Sequence, residues 1–437
     1  MSKINNLHLI HKFYQKGPLH KIIGWPFHLY FVNDPVMIGE INANDKIYIR
    51  EERTMKFLKM IGGENILNSD GEAWRKRRSM ANPYFTKHKT YTYLDQLQAS
   101  AEHYFKSSLW EKAVTSNEYV NINHFIGCLS LKSFGECFFS TSERPGLNIN
   151  DYCIIDKLAA SYEELSILIA ENIFNILKFP IWWPNKVNKR LKEIRNYHAQ
   201  VYKELIEDRI SIHEKPDDLL TTYVKNYEEN MGSFNYQDLV DEVSAMFFAG
   251  QASVTFTLSW FIYLLAGYPE EAEQLHNEIN QVTRKYGQDS SIYTHLPLLK
   301  SAVFEAIRMH PAGYIGLRKN TQPTTLGGKK IPRNSVLFYS PYFIHRDEKY
   351  WENPEKFMPA RFIGRAKNDM HHFAFIPFGV GRSHCIANNF SIIILMVNAV
   401  QLLKKYRFEL KSNYTPPPGA STALRFKGGL PIKVSER

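Results

Sequence analysis

The sequence predicts a mainly α-helical protein with small β-sheets, folded as a single domain across residues 1–437. Three observations carry that expectation. Helical apolar periodicity dominates from about residue 71 to 310, and after Pro311 short segments bounded by glycine and proline read as strands and turns. No repeat, low-complexity block or linker divides the chain. With 44% hydrophobic and 14% aromatic residues in 437, there is ample material for a core.

Residues 1 to about 70 are expected to hold β structure, and their start, MSKINNLHLIHKFYQKG, lacks the uninterrupted apolar run of a signal peptide or anchor. The stretch 185–213 reads as a long amphipathic helix following the aromatic break FPIWWPN. Residues 236–267 are longer and apolar nearly all round, the pattern of a helix through the centre of a protein. Gly250 lies inside it and costs about 1 kcal/mol relative to alanine, so the helix has a reason to be thin or distorted there. Beyond Pro311, TTLGGKKIP and SVLFYSP read as strands, SIIILMVNAVQLLKKY as helix, and STALRFKGGLPIKV as a hairpin about Gly428 and Gly429. The longest apolar stretches, such as SIIILMVNAV and SAMFFAG, fall short of a membrane span. A soluble, cytoplasmic protein is expected.

The net charge is +10, from 54 basic and 44 acidic residues. A basic surface attracts nucleic acid, anionic lipid or acidic proteins. The basic residues are scattered apart from one run, Arg75, Lys76, Arg77 and Arg78, and no nucleic-acid-binding motif surrounds it. Nucleic acid is therefore not expected as a partner. Four cysteines make no disulfide framework, which indicates a reducing compartment, and no CxxC offers a zinc site built from cysteine pairs.

One cysteine stands apart, in FGVGRSHCIA at 378–387. Gly379 and Gly381 let the chain turn tightly ahead of Cys385, which is expected at the start of a helix, where backbone N–H groups favour a thiolate. A phosphatase would need an arginine six residues after the cysteine, where Ser391 stands. A zinc site lacks its second cysteine. A thiolate ligand to heme iron uses both glycines, since they let the loop pass close beneath a flat macrocycle. A buried structural cysteine explains neither the glycines nor the helix.

These residues resemble the heme loop of the cytochrome P450 superfamily, of the soluble bacterial type. Phe378, Gly379, Gly381 and Cys385 occupy the positions of its Phe, two Gly and Cys. The resemblance implies heme b as cofactor, Cys385 as axial iron ligand, and a long central helix over the heme with the cysteine loop beneath. Two departures stand out. Ser383 replaces the usual basic residue, with Arg382 and His384 on either side, and Ala387 replaces a glycine. His384 is the candidate to meet a heme propionate in its place.

Other motifs follow the same pattern. FEAIRMHP places Glu305 and Arg308 three apart on one face of an apolar helix, and NPEKFMPARF supplies Arg361. In the resembled family such residues form a buried structural network. GEAWRKRRSMANPYF matches the helix whose tryptophan and arginine bind heme carboxylates, implying Trp74 and Arg78, and Arg318 after HPAGYIGL matches a further propionate-binding arginine. Arg75 and Arg77 read as a solvated basic face. The resemblance also implies a separate electron donor, an acidic ferredoxin or flavodoxin with its reductase, docking on Arg75, Lys76, Arg77, Lys87 and Lys89.

The family's central helix ordinarily reads Ala-Gly-x-acid-Thr; this chain has Ala249, Gly250, Gln251, Ala252 and Ser253. Gly250 fits the notch for oxygen. The acid and alcohol usually relay protons. Ser253 keeps a hydroxyl and Gln251 is a candidate helper, but Ala252 cannot relay. The expectation is monooxygenation. Phenol coupling, desaturation or peroxide-driven oxidation is the alternative that the missing acid favours, and a heme-binding sensor or carrier without turnover is a third reading. Pocket candidates are MKFLKMIGGENIL, FPIWW, Phe247, Phe248, Tyr314, Ile315 and GASTAL, which together suit a mainly apolar small molecule bound by a monomer.

Overall fold

A computed structural model describes residues 6–23, 28–141, 152–173, 185–230, 233–364, 371, 373–415, 418–420 and 423–437, with side chains except at 6–9, 152, 170–173 and 418–420. FPIWW lies outside these residues, as do the side chains of most of GASTAL. The backbone forms two compact units, neither continuous in sequence. The first comprises residues 1–54, 297–386 and 416–428; the second comprises 55–296, 387–415 and 429–437.

The first unit is built on a five-stranded sheet in the order Leu19–Ile23, Leu29–Val32, Val336–Tyr339, Gly316–Asn320, Tyr48–Arg50. Only Leu29–Val32 and Val336–Tyr339 run parallel. The β structure expected near the N-terminus therefore supplies three of the five strands, and the other two arrive more than 260 residues later in chain order. Apolar residues at alternate positions, such as Tyr30, Val32, Leu337 and Tyr339, pack on Ile38 and Ile41 of the helix Pro35–Ala43. A hairpin joins Thr324–Leu326 to Lys329–Ile331, its turn made by Gly327 and Gly328 at φ +52° and +75°.

The chain's end departs from the expected hairpin. Leu424–Phe426 pairs with Pro418–Ala420, while Pro431–Glu436 pairs with Tyr406–Leu410 and, at its start, with Val120–Asn121. Tyr406–Leu410 takes one edge of Pro431–Glu436, and Val120–Asn121 takes the start of the other. Gly428 and Gly429, at φ +90° and +87°, carry the chain from one sheet to the other.

The second unit is helical around Tyr236–Gly267, 32 residues long. Asn235 caps it by accepting from Gln237 N and Asp238 N, and Asp238 Oδ2 accepts from Asn235 N at 2.9 Å. Contrary to the reading of the apolar stretches, this helix is long and apolar enough to cross a membrane, but 78% of that window is buried inside the protein. Burial against its own neighbours accounts for the apolarity.

Its main neighbour is the helix Ile122–Phe139, and small residues set the spacing. A Cβ on Gly250 would overlap the ring of Phe134, and one on Gly127 would sit 3.0 Å from Gln251 Nε2. The missing side chain at Gly250 thus admits the ring of Phe134. Phe134, Phe138 and Phe85 in turn surround Phe390 of the helix Asn388–Lys405, with ring centroids 4.7–6.5 Å apart.

Candidate active site

In the first unit the helix Pro297–Met309 carries a fully buried carboxylate, Glu305, and a fully buried guanidinium, Arg308. A charge there is tolerable only when every polar atom is engaged. Arg308 binds Glu305 through Nε at 2.8 Å and a terminal nitrogen at 3.0 Å, and donates to the carbonyls of His345 and Pro354 at 2.7 Å each. Arg361 Nε lies 2.8 Å from Glu305, and Met358 N donates to the same oxygen. The remaining Arg361 donors reach the carbonyls of Glu352, Asn353 and Lys356. Arg308 also lies 5.3 Å from the centroid of the buried Trp351 ring.

From this cluster a chain of hydrogen bonds leads to the cysteine loop. His345 is buried, and burial lowers its pKa to about 3, so the imidazole is neutral. Its Nε2 accepts from Ile376 N at 2.9 Å, Gly379 N donates to Ile376 O at 3.1 Å, and Cys385 N donates to Phe378 O at 2.8 Å. The ion network therefore holds the segment from which the loop springs. Sequence reasoning missed His345 and Trp351. Their signal was the density of aromatic side chains in YFIHRDEKYW, which neither a helical nor a strand period explains.

Gly379 and Gly381 both have positive φ, +70° and +73°. A Cβ on Gly381 would overlap the backbone carbonyl of Asn42, whereas one on Gly379 would meet nothing closer than His384 Cα at 4.0 Å. Gly381→Ala is thus expected to cost about 1–3 kcal/mol through strain at a non-glycine αL residue and to reduce the heme retained per chain. Gly379→Ala carries only the backbone penalty, about 1–2 kcal/mol. Heme content after purification ranks the two variants.

Cys385 is partly exposed, in no disulfide, and lies three residues before the helix Asn388–Lys405 instead of in its first turn. The loop, not the helix end, presents the thiol. Phe378, seven residues before Cys385, is partly buried. His384 is exposed, its Nδ1 3.0 Å from Gly381 O, and Arg382 pairs with Asp45 at 2.6 Å. The Nδ1 contact ties His384 to its own loop and leaves the role of its Nε2 open. Arg318, partly buried on the strand Gly316–Asn320, donates to Leu317 O at 3.0 Å, and among the described residues no carboxylate pairs with it.

In the second unit Trp74 and Arg78 lie on one face of the helix Gly71–Ala81, with the guanidinium 5.8 Å from the indole centroid and Arg78 Nε 3.0 Å from Asn82 Oδ1. Arg75 is exposed, as expected. Arg77 is not: it is buried and pairs with Asp238 at 2.8 Å and Glu242 at 2.7 Å. Burial pushes the Glu242 carboxyl up, and Arg77 offsets part of that. Arg77 therefore belongs to neither a solvated face nor a docking surface. Its apolar neighbours at i+3 and i+4, Met80 and Ala81, were the signal that it faces inward. Lys76 donates to Ser233, and Lys89 lies 3.6 Å from Asp217, while Lys87 is exposed.

On the central helix, Ser244, Phe248, Ala249, Gly250 and Ser253 form a partly exposed stripe, while Gln251 and Ala252 are buried. Ser253 Oγ donates to Ala249 O at 2.8 Å, leaving its lone pairs to accept. Gln251 turns instead toward Gly127. Of the pocket candidates, Phe247 is buried against Phe139 and Tyr202, and Tyr314 is buried; Phe248 and Ile315 are partly exposed.

These features fit heme b. A partly exposed thiol follows a glycine loop, an arginine on a strand has no carboxylate partner among the described residues, and a partly exposed stripe interrupts a buried helix. The cytochrome P450 family model matches residues 2–431. Among curated proteins, the chain is 24% identical to human cytochrome P450 4Z1, covering 98% of this chain and 86% of that protein. It is 24% identical to a cytokinin hydroxylase of Arabidopsis thaliana (89% and 75% covered) and 23% identical to cyclooctatin synthase of Streptomyces melanosporofaciens (86% and 80% covered). The chain belongs to the cytochrome P450 family, heme b-binding oxidoreductases that take electrons from a redox partner and act on small molecules.

Proposed function

We propose that this enzyme is a soluble, cytoplasmic, monomeric monooxygenase of a mainly apolar small molecule. Cys385 carries this reading, as the one partly exposed thiol on a loop braced by the Glu305 network. When bound, heme b supplies the iron centre at which oxygen is activated. Cys385 gives it a thiolate ligand, and Trp74, Arg78 and Arg318 hold its carboxylates by charge-assisted hydrogen bonds. Arg382 stays on Asp45, and His384, tied to its loop through Nδ1, is the fourth candidate for that anchoring.

Ser253 is the proton-handling group. Its Oγ accepts a hydrogen bond from water on the exposed stripe and releases its own proton by breaking the bond to Ala249 O. Gln251, turned toward Gly127, braces the helix pair instead of assisting. Ser253→Ala is expected to divert electrons into hydrogen peroxide and lower product per electron consumed several-fold, with the heme spectrum unchanged. Electrons come from a separate acidic ferredoxin or flavodoxin with its reductase, on a face of Arg75, Lys76, Lys87 and Lys89, without Arg77.

Ala252 supports a second reading, oxidation without oxygen insertion, because its methyl offers no proton. Product analysis under isotopically heavy oxygen gas separates the two. One heavy atom per product is expected; a coupled or desaturated product without heavy oxygen moves the second reading into first place.

A further inference from the structure

We propose that His124, Cys128 and Asp156 form a site for a divalent cation of zinc's class, clamping two helices and leaving one coordination position open to water. His124 and Cys128 are four residues apart on the helix Ile122–Phe139, so they project from one face, and Asp156 faces them from the helix Tyr152–Ile173. His124 Nε2 is 2.6 Å from Asp156 Oδ1 and 3.9 Å from Cys128 Sγ, and the three donor atoms lie within 4.8 Å of one another.

The two contacts converge on the same ring nitrogen. A nucleophilic Cys–His–Asp relay would use the two imidazole nitrogens for different partners, so that arrangement is excluded. A single nitrogen carries one hydrogen or one lone pair, so it cannot serve the thiol and the carboxylate together. Asp156 has no other ion-pairing partner among the described residues. A cation on this edge engages all three groups. Tetrahedral bonds of about 2.0–2.3 Å set nitrogen and oxygen ligands about 3.3 Å apart, so the half-exposed Asp156 must rotate outward from its 2.6 Å hydrogen bond to His124.

Sulfur with imidazole selects zinc or cobalt over magnesium or calcium. On binding, the Cys128 S–H bond breaks, its proton goes to solvent, and the thiolate bonds the cation without any change of oxidation state. His124 and Asp156 side chains are 25% and 47% exposed, and a cleft of about 500 Å³ walled by His124, Phe125, Glu163 and Glu164 opens beside them, so water completes the shell. Gly127, next to Cys128, is where this helix meets Gln251 of the central helix, so the clamp acts on that packing.

The test uses heme-loaded protein, stripped with a chelator and titrated with zinc chloride. In that form Cys385 is engaged by iron. One zinc per chain is expected, with one sulfur at about 2.3 Å in the zinc-edge X-ray absorption spectrum. Cys128→Ser, His124→Gln and Asp156→Asn should each weaken binding by at least about tenfold, the cost of losing even an outer-shell partner of a metal site. An unchanged heme spectrum shows that each variant is folded, and Cys153→Ser should bind as the wild type does. Absence of sulfur at the zinc edge, or equal binding by wild type and Cys128→Ser, overturns the proposal.

Discussion

Cys385→Ala is expected to abolish oxidation of every substrate the wild-type enzyme turns over, and to remove the thiolate-dependent red shift expected of the reduced, carbon monoxide-bound heme. Alanine preserves what the backbone contributes at this position, the hydrogen bond from residue 385 N to Phe378 O. Gly379, Gly381 and the Glu305 network are untouched, so the variant should fold with a near-native circular dichroism spectrum. No other thiol substitutes: Cys128 and Cys137 lie on the helix Ile122–Phe139 and Cys153 on the helix Tyr152–Ile173, none of them on the glycine loop. Loss of the spectrum with the fold retained is the signature of a lost ligand. Retained turnover would remove Cys385 from the site.

Glu305→Ala produces the largest stability loss. Glu305 accepts from Arg308 Nε and a terminal nitrogen, from Arg361 Nε and from Met358 N. Its removal leaves two guanidinium groups, 0% and 5% exposed, without a carboxylate. Breaking a buried pair in this way costs about 3–5 kcal/mol, a large part of the roughly 5–15 kcal/mol that keeps a protein folded. The urea midpoint should fall accordingly. Because Arg308 holds the His345 carbonyl and His345 holds Ile376, heme should be released at lower urea than helix content is lost. By contrast, Asp45→Ala removes only a half-exposed partner of Arg382 and should shift stability by about 0–1 kcal/mol. Equal losses from the two variants would contradict the network account.

Local chemistry was readable where a residue contradicted its surroundings. Charges in the apolar segment FEAIR needed partners, and glycines around a lone cysteine needed a tight loop; the structure shows the ion pairs and the positive φ angles. The long helices were readable from periodicity, with Tyr236–Gly267 bounded as expected. Partner choice was not. Leu424–Phe426 and Pro431–Glu436 look like one hairpin, but strand pairing is decided by which distant edges are open, and Tyr406–Leu410 and Val120–Asn121 pair with the latter. Arg77 sat in a basic run that suggested solvent, and its carboxylate partners lie some 160 residues away in sequence. At Gly250 nothing in the sequence pointed to Phe134, whose ring packs where a side chain would stand. In each case the deciding contact is long-range.

The central claim is that the Cys385 sulfur binds the heme iron. Iron-edge X-ray absorption of the heme-loaded wild-type protein, compared with Cys385→Ser, measures that bond directly. One sulfur in the iron's first coordination shell, absent from the variant, is the predicted result. A wild-type shell of nitrogen and oxygen alone, or a sulfur that persists in the variant, would contradict it.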